Sequence, residues 1–273
     1  MMKPGALDQE RAEPGSPWAG SQVLLFFCLF FLIQFLALQW TLSSAPSVEV
    51  EPQSLEIESE APEPSLSADQ ARTLFTALTL GNLLLVGLIL FYGRLWNRLR
   101  PETPSLLLGK NGTVAGSFKS GILACLAWLP IHLFIALLWG ALLQLFGYEP
   151  APQQAVSLFM EAMNNGDQLL IMLIVTTVIG LAPWIEELLF RGLLFRWLLG
   201  YRSVFASAVI SGLFFGVIHD ALASIFPIAC LGVALAWLYN RTGSLLTTIV
   251  FHSFFNGIML SIMIVAHMYG MTE

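Results

Sequence analysis

Charge is what this 273-residue chain has least of: 11% of its residues are Asp, Glu, Lys or Arg, against roughly 25% in a soluble globular domain. With 56% hydrophobic residues and a mean hydropathy of +0.75, a fold surrounded by water on every side is excluded, and long stretches must meet lipid. Basic residues are scarce, 12 Lys and Arg against 18 Asp and Glu, so there is no cationic field to hold nucleic acid. The three cysteines, Cys28, Cys125 and Cys230, sit inside apolar runs. That placement fits small buried hydrophobes and excludes a disulfide framework or a zinc ribbon. The chain also lacks a GxSxG elbow, an HExxH helix, a glycine-rich phosphate loop and any internal repeat. Serine-hydrolase and zincin chemistry are set aside on that ground, and so is a transporter built from repeated halves.

What the chain has instead is apolar runs. Taking about 20 residues as the length that crosses a bilayer, they predict an all-α, polytopic transmembrane helix bundle of about seven spans, plus or minus one. The expected spans lie near 21–40, 73–93, 120–147, 168–190, 204–219, 222–239 and 245–267. The first run is too long for a secretory h-region, and Pro46 follows its small residues, so it reads as an uncleaved anchor. Lys and Arg are retained on the cytoplasmic side. Arg94, Arg98, Arg100, Lys110 and Lys119 between the second and third spans therefore place that loop inside, while the acidic 41–71 segment falls outside. An N-in, C-out, multi-pass protein of the cell (plasma) membrane is expected. The sequon at Asn111–Thr113 then lies on the wrong side for glycosylation.

Residues 1–20 and 41–71 are rich in Ser, Pro, Glu and Ala without apolar period, and are expected to be disordered. The chain then divides into a cytoplasmic N-terminus at 1–20, two spans with their acidic and basic loops at 21–117, a core at 118–267 and a tail at 268–273.

Ionisable residues within apolar runs are functional candidates by default, since a charge at the bilayer centre costs about 2.5–3.5 kcal/mol on insertion scales. Three clusters qualify. Glu186, Glu187 and Arg191 lie in LAPWIEELLFRGLLF, where Gly180 and Pro183 predict a helix start or kink that would put the carboxylates near a helix N-terminus. Glu187 and Arg191, four apart, share a helical face and can pair, leaving Glu186 for proton transfer. His219 closes SGLFFGVIHD, with Phe215 one turn earlier as an aromatic wall and Asp220 beside it as a cap. His252 and Asn256 share a face in TTIVFHSFFNGIML. Each cluster alone has an ordinary structural reading as a headgroup anchor, a satisfied helix end or interhelical glue. Together they are the parts for activating water and stabilising an oxyanion. His132 and His267, without companions, read as structural. One depth does not match: counted at 1.5 Å per residue, His219 lies about 22 Å into its span and His252 about 10 Å into its own.

In order, the three clusters are EExxxR, FxxxH and HxxxN. Over about 118–267 the chain resembles the CAAX protease and bacteriocin-processing family of intramembrane proteases, including the type II CAAX prenyl endopeptidases. The resemblance implies an endopeptidase acting on a membrane-associated or prenylated peptide. Glu186 and His219 would activate water, His252 and Asn256 would form the oxyanion site, and Glu187, Arg191 and Phe215 would support them. It leaves metal use open: Glu186, His219 and His252 could form the His₂Glu set of a divalent ion such as zinc. The alternative is a non-catalytic membrane scaffold or partner-binding protein that keeps this core for packing. The expected partners are membrane lipid and a peptide or protein substrate, with no nucleic acid and with the oligomeric state undetermined.

Overall fold

The structure, a computed structural model, describes residues 18–43, 66–99, 105–109, 112–148, 154–219 and 221–269. The disorder expected of 1–20 and 41–71 falls largely outside these residues, as do Asn111 of the sequon and Asp220. Among the described residues the fold is all-helical, with a single isolated bridge between Ser105 and Gly109. The helices are α1 (Gly20–Ser43), α2 (Ala68–Leu99), α3 (Val114–Leu145), α4 (Gln154–Asn164), α5 (Gln168–Leu199), α6 (Val204–Val217), α7 (Leu222–Thr242) and α8 (Leu245–Met268).

Six of them, α1, α2, α3, α5, α7 and α8, are long and apolar enough to cross a membrane. α6 has 14 residues, about 21 Å of helix, which is shorter than the ~30 Å hydrocarbon layer. The expected count of seven thus resolves into six full-length spans and one short apolar helix. The protein is a polytopic helical bundle. α4 was not expected: it is an amphipathic helix whose Leu158, Phe159 and Ala162 pack with Phe75 of α2 and with Leu170 and Ile174 of α5.

Local chemistry sets several boundaries. Thr113, Asp167, Ser203 and Ser244 each accept a backbone N–H of the first turn of α3, α5, α6 and α8 respectively, satisfying a donor the helix leaves open. α7 ends at Gly243, whose φ of +63° is the left-handed conformation that favours glycine. That turn leads straight into α8 and packs beside Gly109, where a Cβ would stand 2.8 Å from the Gly243 carbonyl oxygen. The 105–109 turn also caps α8, because the Leu107 carbonyl accepts from Leu246 N at 3.0 Å and from Ser244 Oγ at 2.9 Å.

α6 and α7 make the closest pairing. Cβ atoms added at Gly212 or Gly232 would meet backbone of the other helix at 2.8 Å, so both positions require glycine for the approach. The densest packing surrounds α5 between Ile185 and Phe195, joined by Phe215 of α6, Tyr239 of α7 and Leu245 and Ile249 of α8.

Candidate active site

Gly180 and Pro183 do not start a helix. α5 begins at Gln168 under its Asp167 cap and runs on to Leu199, so the carboxylates stand in mid-helix rather than at an N-terminus. The expected irregularity appears instead as two widened π-helical stretches, Thr176–Leu181 and Leu188–Phe195, on either side of the segment that carries Glu186 and Glu187. In an α-turn the Pro183 ring would clash with the carbonyl four residues back; a π-turn relieves the clash, and such bulges are frequent at functional sites.

The acidic pair divides as the helical geometry allows. Glu187 and Arg191 are fully buried, with Arg191 donating through one terminal nitrogen to Glu187 Oε1 at 2.8 Å. Its other terminal nitrogen donates to the Gly232 carbonyl of α7 at 2.9 Å, and its guanidinium lies 4.5 Å from the Phe215 ring centre. Glu187 Oε1 also accepts from His252 Nδ1 at 3.1 Å. Glu186 keeps 15% of its side chain exposed, and its Oε2 stands 3.7 Å from His252 Nε2. His252 of α8 therefore faces both carboxylates.

The partners fix the tautomers. A carbonyl can only accept, so His219 Nδ1, 2.8 Å from the Phe215 carbonyl, carries a proton. His252 Nδ1 likewise donates to the Glu187 carboxylate, so the lone pair of either ring in its neutral form is on Nε2. Both rings lie edge-on to Phe215, at 4.9 Å for His219 and 5.7 Å for His252. Asn256, one turn beyond His252, donates from Nδ2 to the Val178 carbonyl at 2.9 Å.

The depth mismatch disappears in the tertiary structure without any change of helix boundary. α8 starts deep: Leu245 packs at Gly192, where an added Cβ would lie 3.2 Å from its side chain. Gly192 is eight residues before Gly200, so α8 begins about 12 Å below the turn from which α6 departs. The remaining ~10 Å to His252 then brings it level with His219 and Phe215.

Glu186, His219 and His252 are chemically suitable donors for a divalent ion. Among the described residues, however, no three His, Cys, Asp or Glu side chains stand close enough together to hold one. In this arrangement the set does not fit a metal. His132 is buried on α3 against Phe255, at 4.7 Å, and His267 meets Asn164 at 3.0 Å, both away from the cluster. An apolar cleft of about 890 Å³ runs along α8, lined by Trp184, Ile179, Ser253 and Gly257 together with Phe118 and Ile122 of α3, with none of the cluster's side chains in its lining. The sequence reading did not anticipate the Gly232 and Val178 carbonyls, which no side-chain motif announces.

Comparisons with known proteins cover the segment that carries the three motifs. Residues 167–258 match the family model described as Type II CAAX prenyl endopeptidase Rce1-like. Over 86 residues the chain is 31% identical to "Putative membrane peptidase YdiL" of Bacillus subtilis (strain 168), a stretch covering 32% of this chain and 34% of that protein. The match thus spans about a third of the curated relative's length. No solved structure matches the chain. Residues 167–258, which carry the acidic pair, both site histidines and the asparagine of an integral multi-pass membrane protein, are thus the part of the chain that is similar to the Type II CAAX prenyl endopeptidase Rce1-like family.

Proposed function

We propose that the protein is an intramembrane endopeptidase that hydrolyses a peptide bond of a membrane-associated or prenylated peptide. The observation that supports it is the division of labour in the acidic pair. Glu187 is committed to Arg191 and His252, while Glu186, among the described residues, is paired with no Lys or Arg and is not fully buried. A carboxylate in that position can take a proton from water.

Attack of that water on the substrate carbonyl carbon sends its proton to Glu186. The proton is then held within reach of His252 and is delivered to the leaving amine as the tetrahedral species collapses. His219 Nε2, free because Nδ1 is engaged, accepts a second hydrogen bond from the water and orients it. The developing oxyanion is met by the second amide N–H of Asn256 and by His252 when its Nε2 carries a proton. Among the described residues, Oε2 of Glu187 and Nε of Arg191 are buried without a hydrogen-bond partner, which suits a wet pocket rather than one filled by lipid. The apolar cleft along α8 suits the lipid or hydrophobic part of the substrate.

The test uses the purified full chain in liposomes with two quenched fluorogenic probes, a farnesylated CAAX peptide and a peptide with a transmembrane segment. Glu186→Gln and His219→Ala abolish cleavage while circular dichroism and thermal unfolding stay as in the wild type. Cleavage retained in either variant rejects the assignment. Undiminished partner recovery with no cleavage by the wild type would favour the scaffold.

A further inference from the structure

We infer that Pro183 is a positioning residue for Asn256, acting through the Val178 carbonyl that it leaves without a backbone donor. The inference rests on the proposal that Asn256 meets the reacting carbonyl oxygen.

The π-stretch Thr176–Leu181 is closed by the Ala182 N–H, which donates to the Thr177 carbonyl five residues back. The next bond in that register would run from residue 183 to the carbonyl of residue 178. Proline has no N–H, so the bond cannot form and the register stops there. Val178 is left with a carbonyl that no backbone donor claims in this register. In an apolar span an unmet carbonyl is costly, and it takes the nearest donor. That donor is Asn256 Nδ2, 78 residues away on α8, at 2.9 Å.

This bond does more than tie α5 to α8. An amide side chain has two orientations related by a half-turn, one offering N–H groups and the other an oxygen. Only the first is compatible with the Val178 carbonyl, because the second would oppose two oxygen lone pairs. Pinning one N–H on Val178 aims the second N–H outward and turns Oδ1 to a fixed side. An oxyanion needs that N–H and is repelled by Oδ1, so choosing the orientation before substrate arrives is preorganisation. An alanine at 183 would restore a backbone donor to Val178 and permit an ordinary α-turn, removing the demand that holds the amide.

Three variants of the full chain in liposomes test this with the farnesylated fluorogenic probe: Pro183→Ala, Asn256→Ala and the double variant. Asn256→Ala loses roughly 10²–10³-fold in kcat. Pro183→Ala loses about tenfold or more with KM little changed, and adds nothing in the Asn256→Ala background, because both act on one hydrogen bond. A backbone ester at 183, made with the α-hydroxy analogue of alanine, again lacks the N–H and regains most of the loss although it has no proline ring. A Pro183→Ala variant with wild-type kcat, independent losses in the double variant, or an ester no better than alanine each overturns the inference.

An infrared readout separates this from failure of the catalytic proposal. With a ¹³C=¹⁸O label at Val178, Asn256→Ala raises the carbonyl stretch in the Pro183 protein and leaves it unmoved in Pro183→Ala. An unmoved stretch in both backgrounds overturns the inference whatever the activity. Full cleavage by Asn256→Ala together with the expected infrared shift refutes only the role of Asn256.

Discussion

Arg191→Met removes a charge that the fold has buried completely while keeping much of the side chain's bulk. Glu187, itself fully buried, would be left with His252 as its hydrogen-bond partner, and the Gly232 carbonyl would lose its guanidinium donor. Breaking one side of a buried pair costs about 3–5 kcal/mol, because the other charge stays behind uncompensated. That is about two to four powers of ten in the folding equilibrium. Neutralising both partners is different: Glu187→Gln with Arg191→Met removes both charges, while the amide oxygen at 187 still accepts the His252 Nδ1 proton. The double variant is expected within about 1 kcal/mol of the wild type. Reversible unfolding in mixed detergent micelles, followed by tryptophan fluorescence, gives all four corners of the cycle. A single-variant loss below about 1 kcal/mol, or a double variant as unstable as the two single losses combined, would refute the view that Glu187 is held as a charge by Arg191.

Other perturbations probe the surrounding scaffold. Gly212→Val places side-chain atoms where a Cβ already meets the Ala229 carbonyl at 2.8 Å; it is expected to cost about 1–3 kcal/mol, and cleavage should fall with it because Phe215 rides on α6, as thermal melts and probe hydrolysis measured together would reveal. Ser244→Ala deletes both the α8 cap and the hydroxyl that reaches Leu107 and Ser117; a loss of about 1 kcal/mol is expected, with faster amide hydrogen exchange confined to the first turn of α8. Asp167 is held below the usual carboxylate range, first by the Leu170 N–H and also by Arg72. Its contribution to stability is therefore complete above pH ~4 and fades as pH falls through its lowered value; melts between pH 2 and 5 should show a shallower acid limb in Asp167→Asn.

Hydropathy and motif spacing alone established that the chain crosses a membrane several times. They also placed three polar clusters in successive apolar runs and showed that Glu187 and Arg191 could pair. These features are local: an apolar run is its own signal for a span, and a four-residue spacing dictates a shared helical face. α6 was legible as an apolar run but was counted as a span, which its 14 residues are too few to make. The amphipathic α4 was not legible, because it is too short and polar to register as a span.

Tertiary structure decided the rest. Gly180 and Pro183 predicted a helix start or kink, yet Asp167 had already begun α5, and widened turns absorbed the proline ring. His252 seemed too shallow because depth was counted from the start of its own helix, and only the packing of Leu245 on Gly192 reveals that α8 begins recessed. Which nitrogen of His252 donates and which way the Asn256 amide faces depend on partners 65 and 78 residues away. A sequence fixes the capacity of a polar group to bond; which partner it meets in a medium without water is fixed only when the helices pack and every buried donor must find an acceptor.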